Sequence, residues 1–525
     1  MKRRHARRRA TGVGSCGRIG SGRVVGLVLF ILSLGIAACG GGERDGSRRA
    51  GGPDLDSLPN ILLVTLDTTR ADRLGCYGYR YETSPRIDGI ARSGVVFDMA
   101  IAQASVTPVS HASILSGRNP YRNGLRTLHG HLGFRMKDEV PTLTEHLRDE
   151  LGYATAAFIS ALPCGTRFEL DRGFDVFDDP FTEGRIGGGS ISDQGVVNTG
   201  SSQRTARATN ERAFEWLGEA RSRPLFVWTH YFDPHDVKVV PEDRSDRSHF
   251  SPREPSEDYG RRAADLSAMY DNEVRYMDRH VGELVDRMSG LDRPLLICIV
   301  GDHGEGLGDH DWWSHGILYQ EQIRVPFVLS GPGVPLGRRI DSMVRTVDIA
   351  PTLLSLIGAR PEEFGDVDGV DLVPVMRGGE DPGLEAYSES ATMAMAYANP
   401  SGGPRNEKPD ALYVLIRDGF KYIHHLTPDA SVGAHELYDL RNDPKELRNV
   451  FDEQLDRARS MAERLNELDP VFNPATATRG RAMSDETRSR LQALGYEGET
   501  APARDEADRE PDTKSGAESG TGAGG

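Results

Sequence analysis

Five short runs of this chain are apolar almost without interruption: Ile61–Leu66, Ala154–Ile159, Leu225–Trp228, Leu295–Val300 and Pro326–Leu329. A strand with one wet face alternates polar and apolar residues, and these runs do not, so they belong to a sheet covered on both faces. Helical patterns lie between them. Leu266, Tyr270, Val274, Met277, Val281, Leu284, Val285 and Met288 recur at helical spacing, which predicts an amphipathic helix over about 265–288. Strands alternating with helices over this length mean an α/β fold. A chain of 525 residues with 38% hydrophobic residues can build it as one large domain or as a domain plus a subdomain.

Two of the apolar runs end in acids. Ile61–Leu66 runs into Asp67, and Leu295–Gly301 runs into Asp302, His303, Gly304 and Glu305. Ligands of open α/β sheets gather at the carboxyl ends of the strands. A lone Asp there is ordinarily a turn or cap residue; two acids and a histidine delivered to the same edge make a metal site plausible. A third segment, Val106–Arg118, places Thr107 before Pro108, a favoured early helical residue. Thr107 is therefore expected to be the N-cap of a helix over Pro108–Ser116, with its hydroxyl at the positive end, where an anionic ester is also stabilised.

These segments together resemble the sulfatase family of the alkaline phosphatase superfamily over about residues 58–450. Asp67–Gly78 resembles the opening motif, and Gly301–Glu305 the second metal motif. Asp348–Leu354 and Leu437–Pro444 resemble the later structural signatures. In Val106–Arg118 the Ala-Ser and Leu-Ser-Gly-Arg end aligns with the sulfatase signature and sets Thr107 at the catalytic Cys or Ser, Val109 at the proline and His111 at the arginine. Sulfatases oxidise that Cys or Ser to formylglycine, and a threonine cannot be oxidised that way. A threonine hydroxyl can still attack phosphorus once a metal ion lowers its pKa. The Thr-containing metal motif is similar to that of lipoteichoic acid synthases and phosphoethanolamine transferases.

The resemblance implies an alkaline phosphatase-like central mixed sheet between helices, followed by a smaller C-terminal α+β subdomain with a short antiparallel sheet near 411–440 and a terminal helix. It implies one divalent cation held by Asp67, Thr107, Asp302 and His303. The family ion is Ca²⁺, but Thr68 stands where sulfatases often have a second acid, and this oxygen-rich set with one imidazole suits Mn²⁺ or Zn²⁺ about as well. His235 matches the histidine that contacts the ester oxygens. His315 falls near the basic group facing the leaving oxygen, where it can serve as general acid. His111 either donates to the transferring group or orients Thr107. His129 and His131 are at most peripheral, and Trp312 and Trp313 are expected to pack beside the site.

The expected organisation is a signal segment over 1–38, a tether over 39–57, a catalytic domain over 58–380, a subdomain over 381–496 and a disordered tail over 497–525. Residues 1–38 hold eight basic residues and no acid, then the apolar run Val24–Ile36 before Ala37, Ala38 and Cys39. This reads as a secretory signal, and its Cys resembles a bacterial lipobox, so Cys39 is expected to be the lipidated first residue of an envelope protein. The alternative is an uncleaved anchor, for which the run is short. The polar stretch 182–204 is expected to be a mobile loop at the site's mouth or a solvated insertion.

Without the signal segment, 55 basic residues face 79 acidic ones, a net charge of −24, which argues against nucleic-acid binding. With Cys16 removed and Cys39 lipidated, only Cys76, Cys164 and Cys298 remain, too few for a disulfide framework, and Cys298 is expected to be a buried hydrophobe. The partner is an anionic ester: a sulfated or phosphorylated glycan, lipid or small molecule. Three readings follow. One is a phosphoesterase or phosphotransferase with unmodified Thr107, another a sulfatase acting on sulfate esters, and the last a non-catalytic lipoprotein that binds anionic glycans.

Overall fold

The computed structural model describes residues 57–126, 135–181, 190–191, 197–198, 202–219, 222–235, 261–390, 411–425 and 435–469. The signal segment, Cys39, His129, His131, most of 182–204 and the C-terminal tail lie outside them.

All five apolar runs are strands of one mixed sheet. Its strands are β1 (Asn60–Leu66), β2 (Gly94–Ile101), β3 (Ala154–Phe158), β4 (Val176–Asp178), β5 (Leu225–Tyr231), β6 (Leu295–Gly301), β7 (Phe327–Ser330) and β8 (Arg338–Arg345). The spatial order is β8-β2-β7-β6-β1-β5-β3-β4, and the two-residue strand Arg324–Val325 pairs with the end of β2. β7 runs antiparallel to both its neighbours, while the other pairings along this order are parallel. β1 and β6 pair in register from Asn60–Leu295 to Leu66–Gly301, so Asp67 and Asp302 leave the sheet side by side.

Period-2 alternation splits each central strand between two cores. Ile61, Leu63, Phe226, Trp228, Leu296 and Cys298 face one core, which also takes in Val109, Ala112 and Leu115 of the helix Thr107–Ser116. Leu62, Val64, Val227, Ile297 and Ile299 face the other, against Tyr270, Val274, Met277, Val281 and Leu284 of the long helix Arg261–Ser289. That helix carries the predicted 265–288 stripe, starting at Arg261 and ending one residue later, at Ser289. Asp278 on it accepts from the backbone N–H groups of Arg86 and Ile87 at 3.0 and 2.8 Å, satisfying orphan donors at the start of the helix Pro85–Arg92.

The C-terminal region forms a second, four-stranded antiparallel sheet: β9 (Ala386–Ser390), β10 (Leu412–Arg417), β11 (Phe420–His425) and β12 (Glu436–Asp439), in that order. Leu412, Val414 and Ile416 pack with Ile101, Ile317, Leu318 and Ile323. Tyr413 and Leu415, on the other face, pack with Ala458, Met461 and Leu465 of the terminal helix Leu455–Leu468. A buried arginine joins the two parts. Arg126 donates through Nε to Glu389 at 2.9 Å and through Nη2 to Asp469.

Candidate active site

The site is assembled at the carboxyl edge of β1, β5 and β6. Asp67 follows β1, with its N–H bonded to the Tyr231 carbonyl at the end of β5. Asp302 and His303 follow β6. Gly304 is required next: a Cβ there would stand 1.9 Å from the Glu321 carbonyl oxygen. The helix Thr107–Ser116 is buried at every position and ends at Gly117, whose φ of 64° is the left-handed conformation that closes a helix. Ser110 Oγ donates to the Asp302 carbonyl at 2.6 Å and ties this helix to β6.

Thr107 is the first residue of that helix, and Val106 is its N-cap. The expected N-cap role of Thr107 is therefore displaced by one residue. The reason is chemical: the Thr107 hydroxyl lies 3.2 Å from Asp67 Oδ2 and 3.2 Å from His303 Nε2, and so it serves the cluster instead of capping the helix.

Asp67, Asp302 and His303 each offer an atom within 4.8 Å of the others'. All three side chains are fully buried. Among the described residues Asp67 Oδ1 and Asp302 Oδ2 find no hydrogen-bond partner, and no lysine or arginine pairs with either carboxylate. Burial holds the Asp67 carboxyl well above its usual range, and burial together with the Asp67 charge does the same to Asp302. Two desolvated carboxylates with orphaned oxygens are the signature of a cation seat, since burying unpaired charge is otherwise very costly. The chemistry of His303 agrees. Its Nδ1 faces the Gly304 carbonyl at 3.0 Å and must donate to it, which turns the Nε2 lone pair toward Thr107 and Asp302. The residues present therefore fit a divalent cation, and Asp67, Thr107, Asp302 and His303 would hold it.

Thr68 adds strain. Its φ is 49°, unusual for a β-branched residue, its N–H donates to Asp302 Oδ1 at 3.2 Å, and its buried hydroxyl has no partner among the described residues.

A pair of imidazoles lies beside this cluster. His315 Nδ1 donates to the Ser105 carbonyl at 3.0 Å, so its Nε2 is an acceptor when the ring is neutral. That Nε2 meets His235 Nε2 at 3.2 Å, and His235 supplies the proton. The His315 and His303 rings are 4.6 Å apart between centroids, and His235 stacks on Phe232 at 4.2 Å. Burial pushes His315 down to about 4 and His235 well below the ordinary imidazole range. Trp312 packs beside the site as expected, with its indole N–H on the His315 carbonyl at 3.1 Å.

His111 is buried against the same helix with both ring nitrogens engaged: Nδ1 lies 2.7 Å from the Thr107 carbonyl oxygen and Nε2 2.9 Å from Thr65 Oγ1. Of its two expected roles, orienting Thr107 is the one this geometry supports. The structure thus brings together Asp67, Thr107, Asp302, His303, His111, His235 and His315. Sequence reasoning missed His230, whose Nε2 donates to Asp67 Oδ2 at 3.0 Å and whose own pKa burial lowers to about 3. A polar His at the end of an apolar strand was its available signal.

Comparison with known proteins decides the family. The family described as Sulfatase matches residues 59–359, and one described as N-sulphoglucosamine sulphohydrolase, C-terminal, matches 308–470. The chain belongs to the sulfatase family. This sulfatase-family hydrolase is 30% identical over 451 residues to a choline-sulfatase of Rhizobium meliloti, across 75% of this chain and 82% of that protein. It is 24% identical over 467 residues to a Delta 4,5-hexuronate-2-O-sulfatase of Bacteroides thetaiotaomicron, across 79% of this chain and 87% of the relative. Its fold matches the crystal structure of a phosphonate monoester hydrolase of Agrobacterium radiobacter with a TM-score of 0.59 at 21% identity, covering 79% of this chain and 96% of the other. As a member of this family it is a sulfatase-like hydrolase, and the family is generally metal-dependent.

Proposed function

We propose that this hydrolase uses unmodified Thr107 as its nucleophile and acts more readily on phosphate esters than on sulfate esters. The observation that carries the reading is the Thr107 hydroxyl, 3.2 Å from both Asp67 and His303 at the start of a buried helix. A bound divalent cation would supply Lewis-acid stabilisation of the Thr107 alkoxide and of charge on the ester oxygens. The residues do the rest. Asp67 Oδ2 accepts from the Thr107 hydroxyl and is itself steadied by His230. Thr107 Oγ attacks phosphorus as its proton passes to Asp67 Oδ2, and the bond to the leaving oxygen breaks. The N–H that His235 shares with His315 can turn to hydrogen-bond the departing oxygen, which takes its proton from water; the resulting hydroxide cleaves the Thr107 ester, and Asp67 returns its proton to Thr107 Oγ. A sulfate ester on threonine lacks the geminal hydroxyl with which formylglycine expels sulfate, which is why phosphorus is favoured.

The names of the relatives favour a second reading, a true sulfuric ester hydrolase of glycans or small molecules. The buried metal-ligand set counts against a non-catalytic glycan-binding protein. The deciding test is turnover of aryl sulfate, phosphate monoester, phosphodiester and phosphonate probes with Ca²⁺, Mn²⁺ or Zn²⁺. Faster turnover of phosphate-type probes is expected. Faster turnover of aryl sulfate, with Thr107 unmodified, overturns the phosphorus preference. We infer further that Cys39 carries the lipid that holds the protein on a bacterial envelope membrane, supported by the Ile36-Ala37-Ala38-Cys39 junction.

A further inference from the structure

Where the family signature has an arginine, this chain has His111, and a row of hydrogen bonds runs through it from the sheet to the nucleophile's backbone. Trp228 Nε1 lies 2.9 Å from Thr65 Oγ1, Thr65 Oγ1 lies 2.9 Å from His111 Nε2, and His111 Nδ1 lies 2.7 Å from the Thr107 carbonyl oxygen. Thr65, Trp228, His111 and Thr107 are all completely buried. The indole N–H can only donate, and the carbonyl can only accept. His111 must therefore carry its proton on Nδ1. The opposite tautomer would set two lone pairs against each other at 2.7 Å, and a second proton would leave a completely buried cation whose hydrogen-bond partners, the Thr107 carbonyl and the Thr65 hydroxyl, are both neutral. With Nε2 left as an acceptor, the Thr65 hydroxyl spends its single hydrogen there while receiving the Trp228 N–H. Each donor and acceptor in the row then has one consistent assignment.

We propose that Thr65 is a positioning residue for this enzyme: it locks His111 in the Nδ1–H tautomer, and His111 in turn holds the Thr107 carbonyl and the first helical turn that aims the nucleophile. His111 is thereby excluded from proton transfer. The same assignments bear on a neighbouring trio, His111, Cys164 and His230, whose ligand atoms also lie within 4.8 Å of one another. Both His111 nitrogens are committed as described. His230 Nε2 donates to Asp67 and its Nδ1 receives the Ser160 N–H at 3.4 Å. Cys164 Sγ rests against the His111 ring at 3.7 and 3.9 Å from its nitrogens. The trio is a packed support, and a metal ion there would have to break these bonds.

The catalytic consequence rests on Thr107 as nucleophile, and the tautomer does not, so the two are measured separately. Nitrogen-15 NMR of the metal-free wild-type protein with labelled histidine should show His111 protonated at Nδ1 and bare at Nε2. Thr65→Val should disturb that pattern and lower kcat on the order of 10²-fold, with KM and Mn²⁺ affinity near wild type. Thr65→Ser should restore both the spectrum and kcat. A wild-type His111 protonated at Nε2, or charged, overturns the proposal, as does a Thr65→Val enzyme with wild-type kcat. The wild-type spectrum keeps it open to refutation even where Thr65→Val does not fold. The expected tautomer together with full activity in Thr107→Ala would leave the His111 assignment standing and overturn the nucleophile reading instead.

Discussion

Thr107 and Thr68 are the two residues on which the chemistry turns. Removing the Thr107 hydroxyl takes away nucleophile and cation ligand together, so Thr107→Ala should lower turnover by about 10³–10⁶-fold. Thr107→Ser keeps the oxygen and should retain measurable phosphoesterase activity. Steady-state kinetics on one phosphodiester checks both, and an active alanine variant contradicts the role. Thr68 sits at φ 49° beside two buried carboxylates, with an unpartnered hydroxyl. Thr68→Asp would add the charge that a calcium-type site uses and should tighten Ca²⁺ by about tenfold or more in a calorimetric titration. Unchanged Ca²⁺ affinity would show that this position does not tune the ion. Asp67, Asp302, His303 and Thr107 were legible in the sequence because apolar strands end in them or because a helix starts there. His230 and Thr65 were not. Both lie in strands, and only the parallel register of β1 with β5 reveals that one supports Asp67 and the other supports His111.

At the scale of elements, the strands and the long helix could be read from period and apolar content, since burial on both faces leaves an unmistakable pattern. The start of the helix at Thr107 was missed by one residue because caps depend on where a side chain points, which spacing does not encode. The loop from Glu305 to Gly316, which brings in His315, was also not readable. It is held by Arg70, which bonds the Glu305 and Gly306 carbonyls at 3.1 Å and Asp309 at 2.7 Å, and by His310. His310 stacks on Tyr319 with ring centroids 3.8 Å apart and pairs with Glu321 at 2.9 Å. Burial alone would lower its pKa, but the Glu321 carboxylate overrides that and raises it. A raised histidine pKa stabilises the fold fully below the unfolded value of about 6.5 and ceases to do so as pH climbs through the folded value. The stability lost in His310→Gln should therefore be greater at pH 6 than at pH 9, as read by urea denaturation. An equal loss at both pH values would mean that the pair contributes no charge-dependent stability.

At the scale of the whole molecule, the catalytic sheet and the C-terminal sheet depend on one buried charge cluster. Arg126 meets Glu389 and Asp469, and Tyr387 donates to Glu389. Arg126→Met would strand two buried carboxylates and should cost about 3–5 kcal/mol in chemical denaturation; a loss under about 1 kcal/mol would mean the cluster does not join the two parts. The mixed α/β fold was foreseeable from motif order, whereas this junction was not, because its members are 263 and 343 residues apart in sequence. Among the described residues no helix is long and apolar enough to cross a membrane. Intact-mass analysis of the mature protein should find Cys39 first and acylated; an unmodified Cys39 contradicts the envelope anchor. That an unmodified Thr107 is the nucleophile and works on phosphorus can be read from peptide mass spectrometry of enzyme quenched during turnover of a phosphodiester. A phosphoryl group on an otherwise unaltered Thr107 is expected; turnover with no adduct on Thr107, or with the adduct on another residue, would rule this chemistry out.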